Sequence, residues 1–334
     1  MLKLYRYFII YINIIYMNIK KRYLNPLKLK LKNPKLRIGR SLVVILNTNS
    51  KFLTNSNEIF DDTKIEIEKN GLLQLKKASW IGYNVSVNAS RIILGKYSAI
   101  HSFGNVQGDV YIGDYVMIAK NVFISSGRHH YQEEVYLPIK MQDKIYEKKN
   151  GALIEPVIIE DDVWIGVNCV IMPGIKIEKG AVIGSNSVVT KDIKAYSVNA
   201  GNPAKFIKNR YDFLPPKIIS AMDKKDYPYF YSGFNIEKAP FLLKDNPKCL
   251  EAMSLFRIAL TVGKERHLSM EIKSLRNRKS LIYMNQVKNI EEEYTTITFQ
   301  IEKNESDIYL FEEEDRKEYS EDLIFAIKKI FLHE

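Results

Sequence analysis

A six-residue period in the middle of this 334-residue chain constrains its fold more than any other feature. Stepping by six from Leu94 meets Ile100, Val106, Ile112, Ile118 and Ile124. A second run meets Ile159, Ile165, Ile171, Ile177, Ile183 and Val189, and a shorter one precedes both at Leu75, Ile81 and Val87. All fifteen places are aliphatic, far beyond what a 46% hydrophobic composition supplies by accident. Four residues after a repeat start the side chain is usually small or β-branched, as at Ser98, Val110, Val116, Val122, Val163, Cys169, Ala181 and Ser187. Gly82, Gly95, Gly113, Gly166 and Gly184 directly follow repeat starts, as a tight corner requires.

Period six matches neither the 3.6 of a helix nor the 2 of a simple sheet. It fits a chain wound into a prism, each hexapeptide giving one short strand and one corner. The aliphatic residue then points inward and stacks on its counterpart in the next coil. Three hexads per turn give roughly five coils. The fold class expected is mainly β: a parallel β-helix of hexapeptide repeats over 66–210. A basic arm with lead-in strands precedes it over 1–65, and a mixed α/β region of α+β type follows over 211–334. There, 247–260 reads as an amphipathic helix, Thr295–Lys303 as a strand, and Ser320 onward as a capped helix. The cluster Tyr227-Pro228-Tyr229-Phe230-Tyr231 is left unassigned.

Charge separates along the chain. The net charge is +11, from 50 Lys+Arg and 39 Asp+Glu, yet residues 1–40 hold eleven basic and no acidic side chains. The remainder is neutral, and from 291 onward fourteen acidic residues face five basic ones. A nucleic-acid-binding body would spread its positive charge over the folded surface, so the distribution argues against that partner and none is expected. The apolar run 7–19 is short of the roughly 20 residues needed to cross a bilayer as a helix, and lacks a secretory cleavage site. Flanked by Lys20, Lys21 and Arg22, it suits peripheral contact with an anionic membrane surface; Met17 as an internal start is the plainer alternative. A cytoplasmic protein, peripheral or not at the inner face of the membrane, is expected. Residues 27–32 alternate as a strand would. With only Cys169 and Cys249, a disulfide scaffold is excluded.

The period disappears between about 129 and 157, and a loop this long inside a solenoid is usually functional. It opens with His129 and His130, two of the five histidines of the chain. Around it stand Ile159-Glu160-Asp161-Asp162-Val163-Trp164-Ile165-Gly166, then Ile171-Met172-Pro173-Gly174, Ile183 through Thr190-Lys191-Asp192, and Gly201-Asn202-Pro203-Ala204-Lys205. This order resembles the hexapeptide-repeat acyltransferases, nearest the O-acetyltransferases of maltose, nodulation-factor and capsular-polysaccharide type. The resemblance covers roughly residues 75–210 and does not reach the C-terminal region.

The resemblance implies a left-handed parallel β-helix that assembles as a homotrimer. It implies transfer of acetyl from acetyl-CoA to a sugar hydroxyl of a bacterial surface glycan (capsule, lipooligosaccharide or sialic acid) or its precursor. Such transfer needs a base for the hydroxyl proton, and histidine titrates in the right range. The family base falls on His129, with His130 the alternative. Trp164 is implied to line the active-site cleft. Gly166 or Val167 is implied to offer a backbone N–H, and Ser185, Thr190, Lys191, Lys205 and Lys208 to contact coenzyme A. Rival readings are an N-acetyltransferase of a nucleotide-linked amino sugar, and a non-catalytic glycan-binding or assembly protein. A zinc enzyme built on His101, His129 and His130 is the rival from metal chemistry. Adjacent histidines on a strand point apart, so that three-histidine site is hard to build and no metal is expected.

Overall fold

The structure, a computed structural model, describes residues 22–23, 36–56, 58–151, 153–239, 248–277, 279–304, 307–313 and 323–334. Except for Arg22–Tyr23, which pairs antiparallel with Ile45–Leu46, the arm with its runs 7–19 and 27–32 lies outside the described residues. The chain divides into two compact units, Met1–Asp212 and Phe213–Glu334.

The first unit is a parallel β-solenoid with three faces. The third face shows the winding most simply: Arg37–Ile38, Glu58–Ile59, Trp80–Ile81, Ala99–Ile100, Met117–Ile118, Trp164–Ile165, Val182–Ile183 and Ser197–Ala200 stack in that order. Lys205–Asn209 then adds antiparallel and ends the stack. The first and second faces are joined by long strands that bend round a corner, Lys64–Leu75, Ser86–Leu94 and Asn105–Ile112. On the first face these continue into Phe123–Ser125, Val170–Ile171 and Val188–Val189, and on the second into Val157–Ile159 and Lys176–Ile177.

All fifteen periodic aliphatics point inward, none more than 2% exposed, and the small residues four places on are equally buried. Each such side chain contributes about 1.5–3 kcal/mol of burial. Parallel stacking lets one column of like residues fill the prism.

The solenoid starts earlier than the sequence pattern indicates. Val43–Leu46 already pairs in parallel with Lys64–Ile67, so the expected lead-in over 36–65 is itself coil, and the coils outnumber the five expected. The pattern is lost there because the register shifts between Ile67 and Leu72, where Asn70 takes a φ of 59°. The glycines also serve differently from expectation. Gly95 does not supply the left-handed corner; an added Cβ would sit 2.1 Å from the Gly113 carbonyl oxygen of the next coil. The left-handed residue of that corner is instead Tyr97, in a column with Ala78, Tyr115 and Asp162, and a second corner carries a column of Asn84, Phe103, Asn121, Asn168 and Asn186. Two side-chain amide bonds, Asn121 to Asn168 at 2.7 Å and Asn168 to Asn186 at 3.1 Å, tie that column together. Asparagine tolerates this conformation better than most residues.

The second unit corrects the α+β expectation. Within the run 247–260, read as a helix, Leu250–Ala259 forms a strand antiparallel to Ile308–Glu313 and to Leu323–His333. The second expected helix is that same strand Leu323–His333, with 320–322 outside the described residues. It lies between Leu250–Ala259 and His267–Ser274, and its run Ile324 to Ile327 is buried on both faces. A doubly buried strand does not alternate, which makes it look helical in sequence. Thr295–Gln300 is a strand as expected. The sheet runs Gln286–Ile290, Lys279–Tyr283, Ile308–Glu313, Leu250–Ala259, Leu323–His333, His267–Ser274, Thr295–Gln300. Its end strands meet through Gln286, whose side chain bonds both the N–H and the carbonyl of Gln300. Phe256, Phe299, Phe311 and Phe325 fill the core, and Tyr229, Phe230 and Tyr231 of the unassigned cluster are buried with them.

Candidate functional site

The coil is interrupted after Phe123–Ser125, where the first face meets the second. The insertion is zipped at its base by a short antiparallel pair, Gly127 with Ile154 and Arg128 with Leu153. Arg128 donates to both carboxylate oxygens of Glu155, at 3.0 and 3.1 Å. Between these ends lies helix α1, Ile139–Asn150, with Lys148 and Lys149 in its last turn, where cations complement the helix dipole.

One face of α1 organises the loop before it. Buried Gln142 donates to the Leu137 carbonyl and accepts from the Glu134 N–H. Asp143 binds both histidines: Oδ1 accepts the His130 backbone N–H at 2.8 Å, and Oδ2 lies 2.7 Å from His129 Nδ1. Tyr146 stacks on the His130 ring at 5.4 Å, and its hydroxyl donates to Glu134. The His130 N–H and then the His129 side chain hold the Asp143 carboxyl below the usual carboxylate range, against an opposing effect of desolvation. An ionised carboxylate only accepts, so His129 Nδ1 is the donor in this pair, and in the neutral ring the lone pair then falls on Nε2.

The two histidines differ in access. The His129 side chain is 79% exposed and lines a cleft of about 940 Å³. His130 has the same arrangement, Nδ1 at 2.8 Å from Glu133 Oε1, but its side chain is 7% exposed and its Nε2 is buried without a partner. The bond to His130 also lowers the Glu133 carboxyl. His129 is therefore open to the cleft, while His130 is enclosed by the loop.

Of the other residues singled out from sequence, Thr190 lines the same cleft, and exposed Lys191 follows it. Trp164 does not line it. It stands on the third face between Met117 and Val182, pointing outward and 50% exposed. Gly166, Val167 and Ser185 form the corner after that face, and Lys205 and Lys208 lie on the strand that closes it. The Gly166 N–H donates to the Ile183 carbonyl within the coil ladder at 2.8 Å, so it is not available as an oxyanion donor. The candidate residues thus fall into two groups on different edges of one prism.

The three histidines of the metal reading do not converge. His101 packs edge-on against Trp80 at 4.5 Å on the third face, where burial and then Lys120 lower its pKa. Among the described residues no group of three His, Cys, Asp or Glu side chains is placed to hold a metal, and no helix is long and apolar enough to cross a membrane.

Asp143 was missed in the sequence. The α1 face that carries it reads Ile139, Gln142, Asp143, Tyr146, a helical spacing of mixed polarity that a search for apolar periodicity passes over.

The profile of the family described as "Hexapeptide repeat of succinyl-transferase" matches residues 156–191. No curated relative matches. Among solved structures the chain is similar to the polySia specific acetyltransferase NeuO, at 22% identity over 59% of this chain and 98% of that one, with a TM-score of 0.39. It is similar to a maltose O-acetyltransferase from Clostridium difficile 630, at 31% identity over 41% of this chain and 69% of that one, TM-score 0.33. A third is a mutant of AntD, an N-acyltransferase from Bacillus cereus in complex with dTDP-4-amino-4,6-dideoxyglucose and Coenzyme A, at 16% identity over 58% and 92%, TM-score 0.32. With the periodic residues wound into a hexapeptide solenoid and the repeat profile matched on its later coils, the chain belongs to the hexapeptide-repeat acyltransferase family.

Proposed function

We propose that the chain transfers the acetyl group of acetyl-CoA to a sugar hydroxyl of a bacterial surface glycan or its precursor. The observation that carries this reading is the Asp143–His129 pair at the mouth of the cleft. Nε2 of His129 takes the acceptor hydroxyl proton as the oxygen attacks the thioester carbonyl. Asp143 steadies the imidazolium that results. As the tetrahedral intermediate collapses, the C–S bond breaks and the imidazolium returns its proton to the departing thiolate. The products are an acetyl ester and coenzyme A. His129 is the base in this reading and His130 the residue that positions it.

The split between the two groups of residues supports a shared site. In a homotrimer the third-face edge of one copy, with Trp164, Val167, Ser185, Lys205 and Lys208, would face the His129 edge of its neighbour. The lysines would then meet the phosphates of coenzyme A, with Thr190 and Lys191 on the His129 side.

The test is coenzyme A release with acetyl-CoA across sugar acceptors, for wild type and His129→Ala. Loss of release in the variant with an unchanged melting curve is expected. Undiminished turnover would remove His129 as base, and acetylation of amino sugars alone would establish the N-acetyltransferase instead. No turnover with any glycan would favour a binding or assembly role.

A further inference from the structure

The cleft is not uniform along the solenoid axis. On the side of the later coils its wall is mostly apolar, formed by Ile171, Met172 and Pro173 with Thr190, and the insertion adds Leu153 and Ile154. On the side of the earlier coils it is polar, formed by Glu68, Asn88, Ser90, Gln107, Ser125 and Ser126. The polar wall is a register of the fold rather than a scatter of surface residues. Ser125 pairs with Gln107, Gln107 with Asn88, and Asn88 with Glu66 in the coil that carries Glu68. Three rungs at about 4.8 Å make a polar strip of about 14 Å leading away from His129, the length of about three sugar rings.

The strip has groups that suit hydroxyls. Gln107 and Ser125 are half-buried and offer amide and hydroxyl groups to a ligand, whereas Asn88 Oδ1 is shielded and has no hydrogen-bond partner in the protein. Ser90 donates to Glu68 Oε2 at 2.6 Å, fixing that carboxylate at the far end. The charge of the cleft is equally specific. Its lining carboxylates are Glu68 and Glu147, and its arginine, Arg128, is held by both oxygens of Glu155. A polyanionic chain laid here meets carboxylates and an arginine already paired, in a partly desolvated groove where like charges repel most. A volume of about 940 Å³ stands at the upper end of ligand sites, enough for more than one sugar.

We propose that the acceptor is an extended, uncharged oligosaccharide segment of about three units, lying along the polar strip with its reacting hydroxyl at His129. The acetyl donor enters from the apolar side. This deepens the acetyl-transfer reading and rests on it for the direction of the substrates, but the glycan strip itself can be tested without turnover.

The experiment compares neutral oligomers of glucose, galactose and N-acetylglucosamine, one to five units long, with sialic acid oligomers of the same lengths. Coenzyme A release by wild type is expected to rise in kcat/KM up to about three units and then level, at least tenfold above the sialic acid series. Gln107→Ala should reduce the ratio of trimer to monomer about tenfold, the loss of one hydrogen bond to a polar ligand. Glu68→Lys should shift the preference toward the anionic series, and serves if the first variant does not fold. Calorimetric binding of the same trimers to His129→Ala separates the two readings. Length-dependent binding without turnover in wild type would sink the transferase but keep the glycan strip. Turnover that is flat with chain length, or that favours the anionic series, would overturn the strip and leave the transferase standing.

Discussion

The two units are both β, but one repeats its contacts along the chain and the other joins segments far apart in it. The solenoid is built from parallel coils in which each inward position repeats after six residues, so its order is written locally along the chain. The second unit is an antiparallel sheet whose neighbours come from distant segments, such as Leu250–Ala259 beside Leu323–His333. Its central strands are covered on both faces, and their apolar runs lack the alternation that would mark them. Periodicity reveals a strand only where the environment repeats with it.

The comparison can be sharpened by substitutions that separate chemistry from packing. The largest effect is expected at the interruption of the period: His129→Ala should lower kcat for coenzyme A release by about 10²–10⁴-fold, the range of a general base. Core substitutions should come next. Ile171→Ala in the solenoid should cost about 2–5 kcal/mol, and Phe256→Ala in the second unit about 3–5 kcal/mol, in chemical denaturation. Each cluster is a separate core, so each variant is expected to shift one of two transitions. A single transition moved equally by both would show that the units melt together.

A third effect tests the close approach of successive coils. Gly95→Ala would put a Cβ 2.1 Å from the Gly113 oxygen, and overpacking of this kind typically costs about 1–3 kcal/mol. Gly151→Ala meets no neighbour within 4 Å but strains a φ of 81°, so it should cost less than Gly95→Ala in the same melts. Equal losses would mean that backbone conformation, not stacking, is what solenoid glycines protect.

The smallest effect concerns pH. The Asp143 carboxyl is lowered in the folded protein, so its contribution to loop order is full above the ordinary carboxylate pKa of about 4. It is lost as pH falls through the lower, folded value. Limited proteolysis of the 126–156 insertion should therefore show protection that persists below pH 4 and then declines. In Asp143→Asn that decline should be absent and the insertion more open throughout. An unchanged acid profile in the variant would show that other contacts order the loop.

The candidate site was half legible. His129 stands out because it breaks a strict pattern, and a departure from a period is visible in one dimension. Asp143 does not, because its role depends on α1 folding back over thirteen intervening positions onto His129. Trp164 and the lysines are recognisable by motif, but their distance from His129 within one chain became visible only once the coils were wound.

Sequence alone determined the solenoid: the spacing of its aliphatic residues dictates which side chains face inward, since each coil must bury its stripe against the next. The tertiary structure decided everything that depends on contacts between distant segments. It made strands of two helix-like runs, extended the coils back to Arg37, and buried one of two adjacent histidines while leaving the other open, each beside a carboxylate.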